Sequence, residues 1–249
     1  MARITVITPA LPTRMHLLGE CLRSVAAQEY QPYEHLVALD YAREGPCVIR
    51  NRLAAAARGE WLAFLDDDDL LLSNHLRELL EHSAAEADVV YSFCRVEGRI
   101  EMPGWIPNST FDADRLRADN FIPVTCAVRK SSFERADGFR KEDGQEDWGL
   151  WLRLLNSGAR FKCVPIVTWI YRFHGGNRTY QGVGGFNPYA PHEPVTLELA
   201  ETLESLMQRY PNHFVLAESE KDLNRYKLTG NFPAGSTIRL VKKADGHAY

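Results

Sequence analysis

The first 95 residues alternate short apolar runs with helical patterns, and this alternation is the strongest constraint on the fold. It is typical of β-α-β units, in which helices join consecutive parallel strands and cover the sheet. We therefore expect an α/β fold with a mostly parallel, twisted sheet flanked by helices. The predicted strands span residues 3–8, 35–40, 61–65 and 89–95, and the predicted helices span residues 15–27, 46–57 and 73–82.

The second half of the chain is less regular, but one helix stands out in it. Large apolar residues recur there at helical spacing and a glycine follows them, which predicts a helix over residues 146–156. These residues are Trp148, Trp151, Leu152, Leu155 and Gly158. The remaining predictions are an extended pair over residues 99–105, a short helix over 112–118, and strands over 122–128, 161–164 and 167–173.

The length of 249 residues suits one sizeable α/β core rather than two complete domains. We expect a catalytic domain over residues 1–194, made of a nucleotide-binding half over 1–95 and an acceptor half over 96–194. A C-terminal helix and a small β tail are expected over residues 195–249.

Glycine and proline mark one long loop before that tail. Residues 174–194 contain five glycines and three prolines, a composition that permits large backbone changes and is typical of a lid. After this loop the pattern predicts an amphipathic helix over residues 195–210 and a β-hairpin over 224–243.

Charge and hydropathy narrow the possible partners. A formal net charge of −4 provides no long-range attraction to nucleic acid or to an anionic membrane. No stretch of 18 apolar residues and no leader pattern occurs, so we expect no stable membrane insertion and a cytoplasmic location. The five cysteines lack metal-ligand spacing and are expected to be reduced.

The most informative motif is the apolar run over residues 61–65 followed by four aspartates, Asp66 to Asp69. Four adjacent carboxylates repel one another, and a divalent cation with oxygen ligands relieves that repulsion most directly. Open parallel sheets bind ligands beyond the carboxyl ends of their strands, where this run is predicted to lie. The alternative is a solvated acidic loop that caps a helix near Ser73. Its place directly after a core strand favours metal binding.

Seven motifs, in order over residues 3–175, resemble the family 2 nucleotide-sugar glycosyltransferases, which have the GT-A fold. Each is weak alone, whereas the ordered set is specific. The motifs are Ile4-Thr5-Val6-Ile7-Thr8-Pro9, the segment from Leu18 to Gln28 that reads L-x-x-C-L-x-S-V-x-x-Q, Arg50-Asn51, Ala57-Arg58-Gly59-Glu60-Trp61, Asp66-Asp67-Asp68, Glu146-Asp147 and Tyr171-Arg172-Phe173-His174.

The resemblance implies a metal-dependent site for a nucleotide-diphosphate sugar, with Mn²⁺ or Mg²⁺ as the cofactor. Asp68 is the implied direct ligand, Asp66 contacts the metal or the ribose, and His174 is the implied third ligand. Arg172 and Arg178 are candidates for binding phosphate oxygens. His174 is equally compatible with a partly exposed histidine at a strand end.

The same resemblance assigns residues to the nucleotide. They are Thr8, Pro9, Asp40, Arg50, Asp66 and Asp67. Taken singly, three of them have plain structural alternatives: Thr8 and Asp40 as turn residues, and Arg50 on a solvated helix face.

For the reaction, the resemblance implies that Asp147 is the general base and that Glu146 positions Asp147 or the acceptor. Acidic residues in the first turn of a helix are also favoured by its macrodipole, so a purely structural role is the alternative for the pair. The processive synthase motif Q-x-x-R-W is absent, since Trp151-Leu152-Arg153 does not match it.

The expected function is therefore single, inverting transfer of a sugar to an acceptor hydroxyl of unknown class, with a UDP-sugar as the favoured donor. Two other functions remain open: a nucleotidyltransferase, and a non-catalytic protein of the same fold that binds nucleotide sugars or carbohydrates. The segment from Thr8 to Arg14 lacks the glycine-rich loop that nucleotidyltransferases normally carry.

Overall fold

One mixed sheet runs through the computed structural model, which describes residues 2–82, 87–98, 108–174 and 215–217. Six helices accompany it in these ranges: α1 (Met15–Ala26), α2 (Pro46–Ala56), α3 (His75–His82), α4 (Ala113–Ala118), α5 (Lys130–Arg135) and α6 (Glu146–Asn156). The strands are β1 (Ile4–Ala10), β2 (Glu34–Leu39), β3 (Trp61–Phe64), β4 (Leu70–Leu71), β5 (Val89–Gly98), β6 (Cys126–Arg129), β7 (Phe161–Phe173) and β8 (Val215–Ala217).

The strand order across the sheet is β4-β7-β5-β6-β3-β1-β2-β8. Strands β2 and β3 flank β1 in parallel, β8 is parallel to β2, and β7 is parallel to β5. Strand β6 is antiparallel to both of its neighbours, β3 and β5, and β4 is antiparallel to β7. The carboxyl ends of β1, β2, β3, β5 and β7 consequently lie at the same edge of the sheet, which we call the carboxyl edge.

The hydrophobic core lies on both faces of the sheet, as expected where helices cover parallel strands. Along β3, Leu62 and Phe64 pack into one buried cluster, whereas Trp61 and Ala63 pack into the other. This alternation follows from the two-residue period of a strand. All seven residues of β1 are buried, so the strand that leads into the candidate site is fixed on both sides.

Helix α6 is held in place by its tryptophans. Trp151 is fully buried and donates its indole N–H to the Ile122 carbonyl at 2.9 Å, while Trp148 donates to the Leu116 carbonyl at 2.7 Å. Gly158 adopts a positive φ of 81° just after the helix, which confirms the predicted stop. The first turn of α6 is therefore presented from a rigid support.

The predicted α/β architecture is confirmed, and the predicted elements of the first 95 residues match the observed ones closely. Several details are wrong. The helix predicted from Ser73 begins at His75, and the Ser73 hydroxyl donates to the Glu29 carboxylate at 3.0 Å. Strand β4, with two residues, is too short to show a periodic pattern, and neither it nor helix α5 was predicted. The strand predicted over residues 122–128 begins only at Cys126.

The strands predicted over residues 161–164 and 167–173 form one strand, β7. In its pairing with β5, Ser92 faces Val164 whereas the next residue, Phe93, faces Val167. Residues 165 and 166 therefore form a bulge. Pro165 has no N–H to donate to a partner strand, so the sequence located the irregularity correctly but interpreted it as an end.

Three predictions lie outside the described residues: the extended pair over 99–105, the helix over 195–210 and the hairpin over 224–243. The glycine-rich loop does too, apart from His174. Strand β8, which was not predicted, extends the sheet beside β2. In the part of the chain that the structure describes, no helix has the length and apolar character needed to cross a membrane.

Candidate active site

The carboxyl edge gathers most of the side chains singled out from the sequence. Thr8 and Pro9 lie near the end of β1, and Asp40 directly follows β2. The run Asp66 to Asp69, called here the aspartate cluster, begins two residues after β3, and His174 directly follows β7. Parallel strands bring these distant segments together, as the sequence predicted.

Three members of the aspartate cluster are buried, each with no more than 5% of its surface exposed: Asp67, Asp68 and Asp69. The guanidinium of Arg14, in the loop after β1, compensates part of this negative charge. Arg14 Nη1 lies 2.6 Å from Asp68 Oδ2 and 3.2 Å from Asp67 Oδ1. The Leu11 backbone N–H also donates to Asp67 Oδ2 at 2.7 Å. Asp67 thereby ties the loop after β1 to the aspartate cluster.

The neighbouring carboxylates differ in their affinity for protons. Burial, followed by the charge of Asp68, raises the pKa of Asp67 to about 7 against the opposing effect of Arg14. Burial and Asp68 likewise raise the pKa of Asp69 well above its usual range. Burial also works against ionisation of Asp68, but the hydrogen bond from His174 and the charge of Arg14 outweigh it and lower its pKa. The negative charge of the cluster is therefore held most firmly on Asp68.

Two residues from the end of β7 close the aspartate cluster on another side. His174 Nε2 lies 3.1 Å from Asp68 Oδ2. Arg172 donates its backbone N–H to Asp69 Oδ1 at 2.9 Å, and its guanidinium contacts the Asp68 carbonyl and the Glu20 carboxylate. The structure thus brings His174 and Arg172 to the cluster, while Arg178 lies outside the described residues.

The donor set suits a hard divalent cation that is shared with phosphate. Asp68 supplies an ionised carboxylate and His174 an adjacent imidazole, and Mg²⁺ or Mn²⁺ commonly takes one or two protein ligands together with substrate phosphates and water. Among the described residues, no three His, Cys, Asp or Glu side chains are grouped to enclose an ion without such help. Asp68 and His174 are thus the described side chains that would hold such a cation.

The residues assigned to the nucleotide also make structural contacts. Thr8 is fully buried, with its hydroxyl 2.9 Å from Nε2 of His35, a histidine whose pKa burial lowers to about 3. Asp40 accepts the backbone N–H groups of Glu44 and Gly45 at 2.7 Å each, which shapes the loop before α2. Each carboxylate oxygen of Asp40 can accept a second hydrogen bond, so this turn is compatible with a contact to the nucleobase of a nucleotide.

Arg50 connects the aspartate cluster to a second acidic region, Glu146 and Asp147 at the start of α6. Its Nη2 lies 2.5 Å from Asp66 Oδ1 and its Nη1 lies 3.1 Å from Glu146 Oε1, although Glu146 is 96 residues away in the sequence. The side chain is only 3% exposed, so the alternative of a solvated helix face is wrong. Arg50 fixes the start of α6 against the end of β3.

Asp147 lies in the first turn of α6 and is half-buried. Its Oδ1 accepts the side-chain amide of Asn120 at 3.1 Å and the backbone N–H of Trp148 at 2.8 Å. The same amide of Asn120 lies 3.2 Å from Gln145 Oε1. These contacts orient the Asp147 carboxylate at the N-terminus of α6.

Two residues of this site escaped the sequence analysis as site residues: Arg14 and Asn120. The sequence pattern placed Arg14 shortly after β1 but did not show which strand lies beside β1. No local pattern distinguishes Asn120, which lies in an irregular segment and reaches Asp147 only through the tertiary fold.

Comparison with known proteins agrees with this architecture. Residues 41–140 match a family model described as glycosyl transferase family 2. A search of curated proteins found no significant match.

Solved structures share the fold at low sequence identity. TarS 1–349 from S. aureus, in complex with UDP-GlcNAc, is 16% identical with a TM-score of 0.60, over 90% of this chain and 70% of that one. The mannosyltransferase PcManGT from Pyrobaculum calidifontis, in complex with GDP-Man and Mn²⁺, is 16% identical with a TM-score of 0.56, over 92% of this chain and 70% of that one. The family model thus matches a segment of the chain, and the solved structures show that the chain has the GT-A fold of these glycosyltransferases.

Proposed function

We propose that this domain transfers a single sugar from a nucleotide-diphosphate donor to an acceptor hydroxyl, with inversion at the anomeric carbon and with the help of a divalent cation. The observation that supports this most is the pair of acidic regions at one edge of the sheet. Asp68 is held ionised beside His174, and Arg50 connects Asp66 of the same cluster to Glu146 at the start of α6.

Asp68 and His174 are the proposed protein ligands of the cation, and Asp66 is placed to contact the cation or the ribose. A bound Mn²⁺ or Mg²⁺ would neutralise the charge that develops on the departing diphosphate. The remaining coordination positions suit phosphate oxygens and water. Arg172, which lies against the backbone of Asp68, is a further candidate for a phosphate contact.

Asp147 is the proposed general base. It would accept the proton of the acceptor hydroxyl as that oxygen attacks the anomeric carbon, and the donor bond to the diphosphate would break on the opposite face. This displacement inverts the configuration and needs no covalent intermediate, so no nucleophilic side chain is assigned. The amide of Asn120 and the Trp148 N–H would hold the carboxylate in position.

The donor is proposed to be a nucleoside-diphosphate sugar, with a UDP-sugar favoured. TarS was solved with UDP-GlcNAc and with UDP, and PcManGT with GDP-Man. Thr8, Pro9 and Asp40 at the ends of β1 and β2 are the proposed contacts to the nucleoside. The absence of a processive synthase motif favours a single transfer.

Donor turnover tests this function directly. The protein would be incubated with UDP-GlcNAc or GDP-Man and Mn²⁺, and release of nucleoside diphosphate measured with and without added sugar acceptors. We expect slow hydrolysis without acceptor and metal-dependent release. Pyrophosphate formation from a nucleoside triphosphate and a sugar phosphate would instead indicate a nucleotidyltransferase. Donor binding by thermal shift with no release from any donor would indicate a non-catalytic binding protein.

A further inference from the structure

Arg14 and His174 both contact the same carboxylate oxygen of Asp68, the proposed metal ligand. Its Nη1 lies 2.6 Å from Asp68 Oδ2, and His174 Nε2 lies 3.1 Å from the same oxygen. A carboxylate oxygen has two lone pairs, so these two donors use the acceptor capacity of Oδ2. A cation that binds this oxygen must displace at least one of them.

The guanidinium is held at the aspartate cluster by its own loop. The 3₁₀ turn Pro12–Arg14 directly follows β1, and the Arg14 backbone N–H donates to the Leu11 carbonyl at 2.9 Å. The Leu11 N–H is in turn bonded to Asp67, which also contacts the guanidinium. The Arg14 side chain is only 15% exposed, so water screens its contact with Asp68 weakly.

A guanidinium displaced from Asp68 keeps only its longer contact with Asp67, whose raised pKa makes it a weaker anion, so a second anion would stabilise the largely buried charge. A nucleoside diphosphate supplies one at the right moment, since its phosphate oxygens bind both a divalent cation and an arginine. Without the nucleotide, the cation and Arg14 compete for Asp68. With the nucleotide, both positive charges have ligands.

We propose that Arg14 is a resident counterion of Asp68 that keeps the empty site from binding a divalent cation tightly and transfers to the donor diphosphate when cation and donor bind together. Arg14 thereby couples metal binding to donor binding. The inference rests on the proposed function, since it assumes a diphosphate donor. Coupling of this kind is reciprocal, so the metal should strengthen nucleotide binding by the same factor.

Titration of Mn²⁺ followed by electron paramagnetic resonance tests the competition without any turnover. Arg14→Gln should bind Mn²⁺ at least about tenfold more tightly than the wild type in the absence of nucleotide, because it removes a competing charge. Arg14→Lys, which retains the charge, should remain near the wild type. Arg23→Gln, on the exposed face of α1, is the control for net charge and should change nothing.

The coupling is tested by repeating the titration with saturating UDP and, separately, GDP. At least one of these nucleotides should increase the Mn²⁺ affinity of the wild type by a factor several times larger than it does for Arg14→Gln. Only the wild type has the Arg14 guanidinium, which the nucleotide would draw away from Asp68. Equal Mn²⁺ affinity of the wild type and Arg14→Gln without nucleotide, or equal tightening by nucleotide, would overturn the inference. Failure of every variant to bind Mn²⁺ would overturn it as well.

A second measurement uses the wild-type protein, in case Arg14→Gln fails to fold. The Nε–Hε resonance of Arg14, assigned by its loss in Arg14→Lys, should shift strongly only when Mg²⁺ and a nucleoside diphosphate are both present. No shift with both present would contradict the proposal. If the wild type transfers sugar but its Arg14 resonance does not shift, this inference alone is refuted. If Mn²⁺ and nucleotide binding are coupled as expected but no donor is turned over, the proposed function alone is refuted.

Discussion

The carboxylates of the aspartate cluster and the carboxylate of Asp147, at the start of α6, lie in different surroundings. The aspartate cluster is largely buried, and the guanidinium groups of Arg14 and Arg50 contact three of its carboxylates. The carboxylate of Asp147 is half-buried, accepts hydrogen bonds from an amide and a backbone N–H, and also interacts with the charge of Arg50. A metal ligand must stay ionised, whereas a general base must be able to take up a proton. Asp68, whose pKa is lowered, is suited to the first role, and the more exposed Asp147 is accessible for the second.

The largest effect is expected from the metal ligand of the cluster. Asp68→Asn should lower sugar transfer on the order of 10³-fold, because it removes the charge that fixes the cation beside the leaving diphosphate. Turnover and nucleotide affinity with Mn²⁺ or EDTA would be measured together. Tight nucleotide binding in EDTA by the wild type would remove the metal from the mechanism.

The next effect is expected from the base. Asp147→Asn should bind nucleotide and Mn²⁺ almost normally but transfer sugar about 10²-fold more slowly, since it preserves shape and abolishes basicity. Turnover and melting temperature would be measured on the same preparation. Near-normal turnover with a lower melting temperature would make Asp147 a helix-terminus acid and would direct attention to Glu146.

A smaller effect is expected at the residue that orients the base. Asn120→Ala should lower turnover about tenfold, because the Asp147 carboxylate loses one of the contacts that position it. The acidic limb of the pH–rate profile should also move to higher pH, since the lost hydrogen bond favours the ionised carboxylate. Asn120→Asp cannot donate in its ionised form and should not restore the profile. An unchanged pH profile in Asn120→Ala would assign the residue a purely structural role.

The smallest effect concerns stability and pH. Burial raises the pKa of Asp69 above its unfolded value near 3.8, so the folded state binds a proton that the unfolded state has released, and stability falls as pH rises between the two values. Asp69→Asn retains an acceptor for the Arg172 N–H. At pH values above that interval, it should raise the melting temperature by about 2–4 °C, which corresponds to about 1 kcal/mol. Melting would be recorded against pH in EDTA. A gain that does not shrink at low pH would contradict this explanation.

The sequence predicted which residues reach the carboxyl edge because that placement follows from parallel strands. Asp66, Asp40 and Thr8 each lie at or beside the end of a strand whose direction the alternating pattern determines. The fold of the first half was accessible for the same reason, since its helices and strands are long enough for their periodicity to be recognised.

The sequence could not predict which charges pair. Arg50 reaches Glu146 across 96 residues, and Arg14 reaches Asp68 across 54. Such contacts depend on how the strands are ordered and how α6 packs, and neither leaves a local pattern. Helix α5 was missed, and the bulge of β7 was interpreted as a strand end, because short elements take their conformation from tertiary contacts.

The position of β6 between β3 and β5 has a consequence for synthesis on the ribosome. Strand β5 is complete at Gly98, but both strands that flank it in the sheet, β6 and β7, are made later. At about 5–20 residues per second, the roughly 30 residues from Gly98 to Arg129 take about two to six seconds. During that interval Val89, Val90 and Tyr91, all buried in the finished sheet, have no strand to pair with. Once it has left the ribosome, β5 resembles an exposed edge strand, a feature that favours aggregation, until β6 has also emerged.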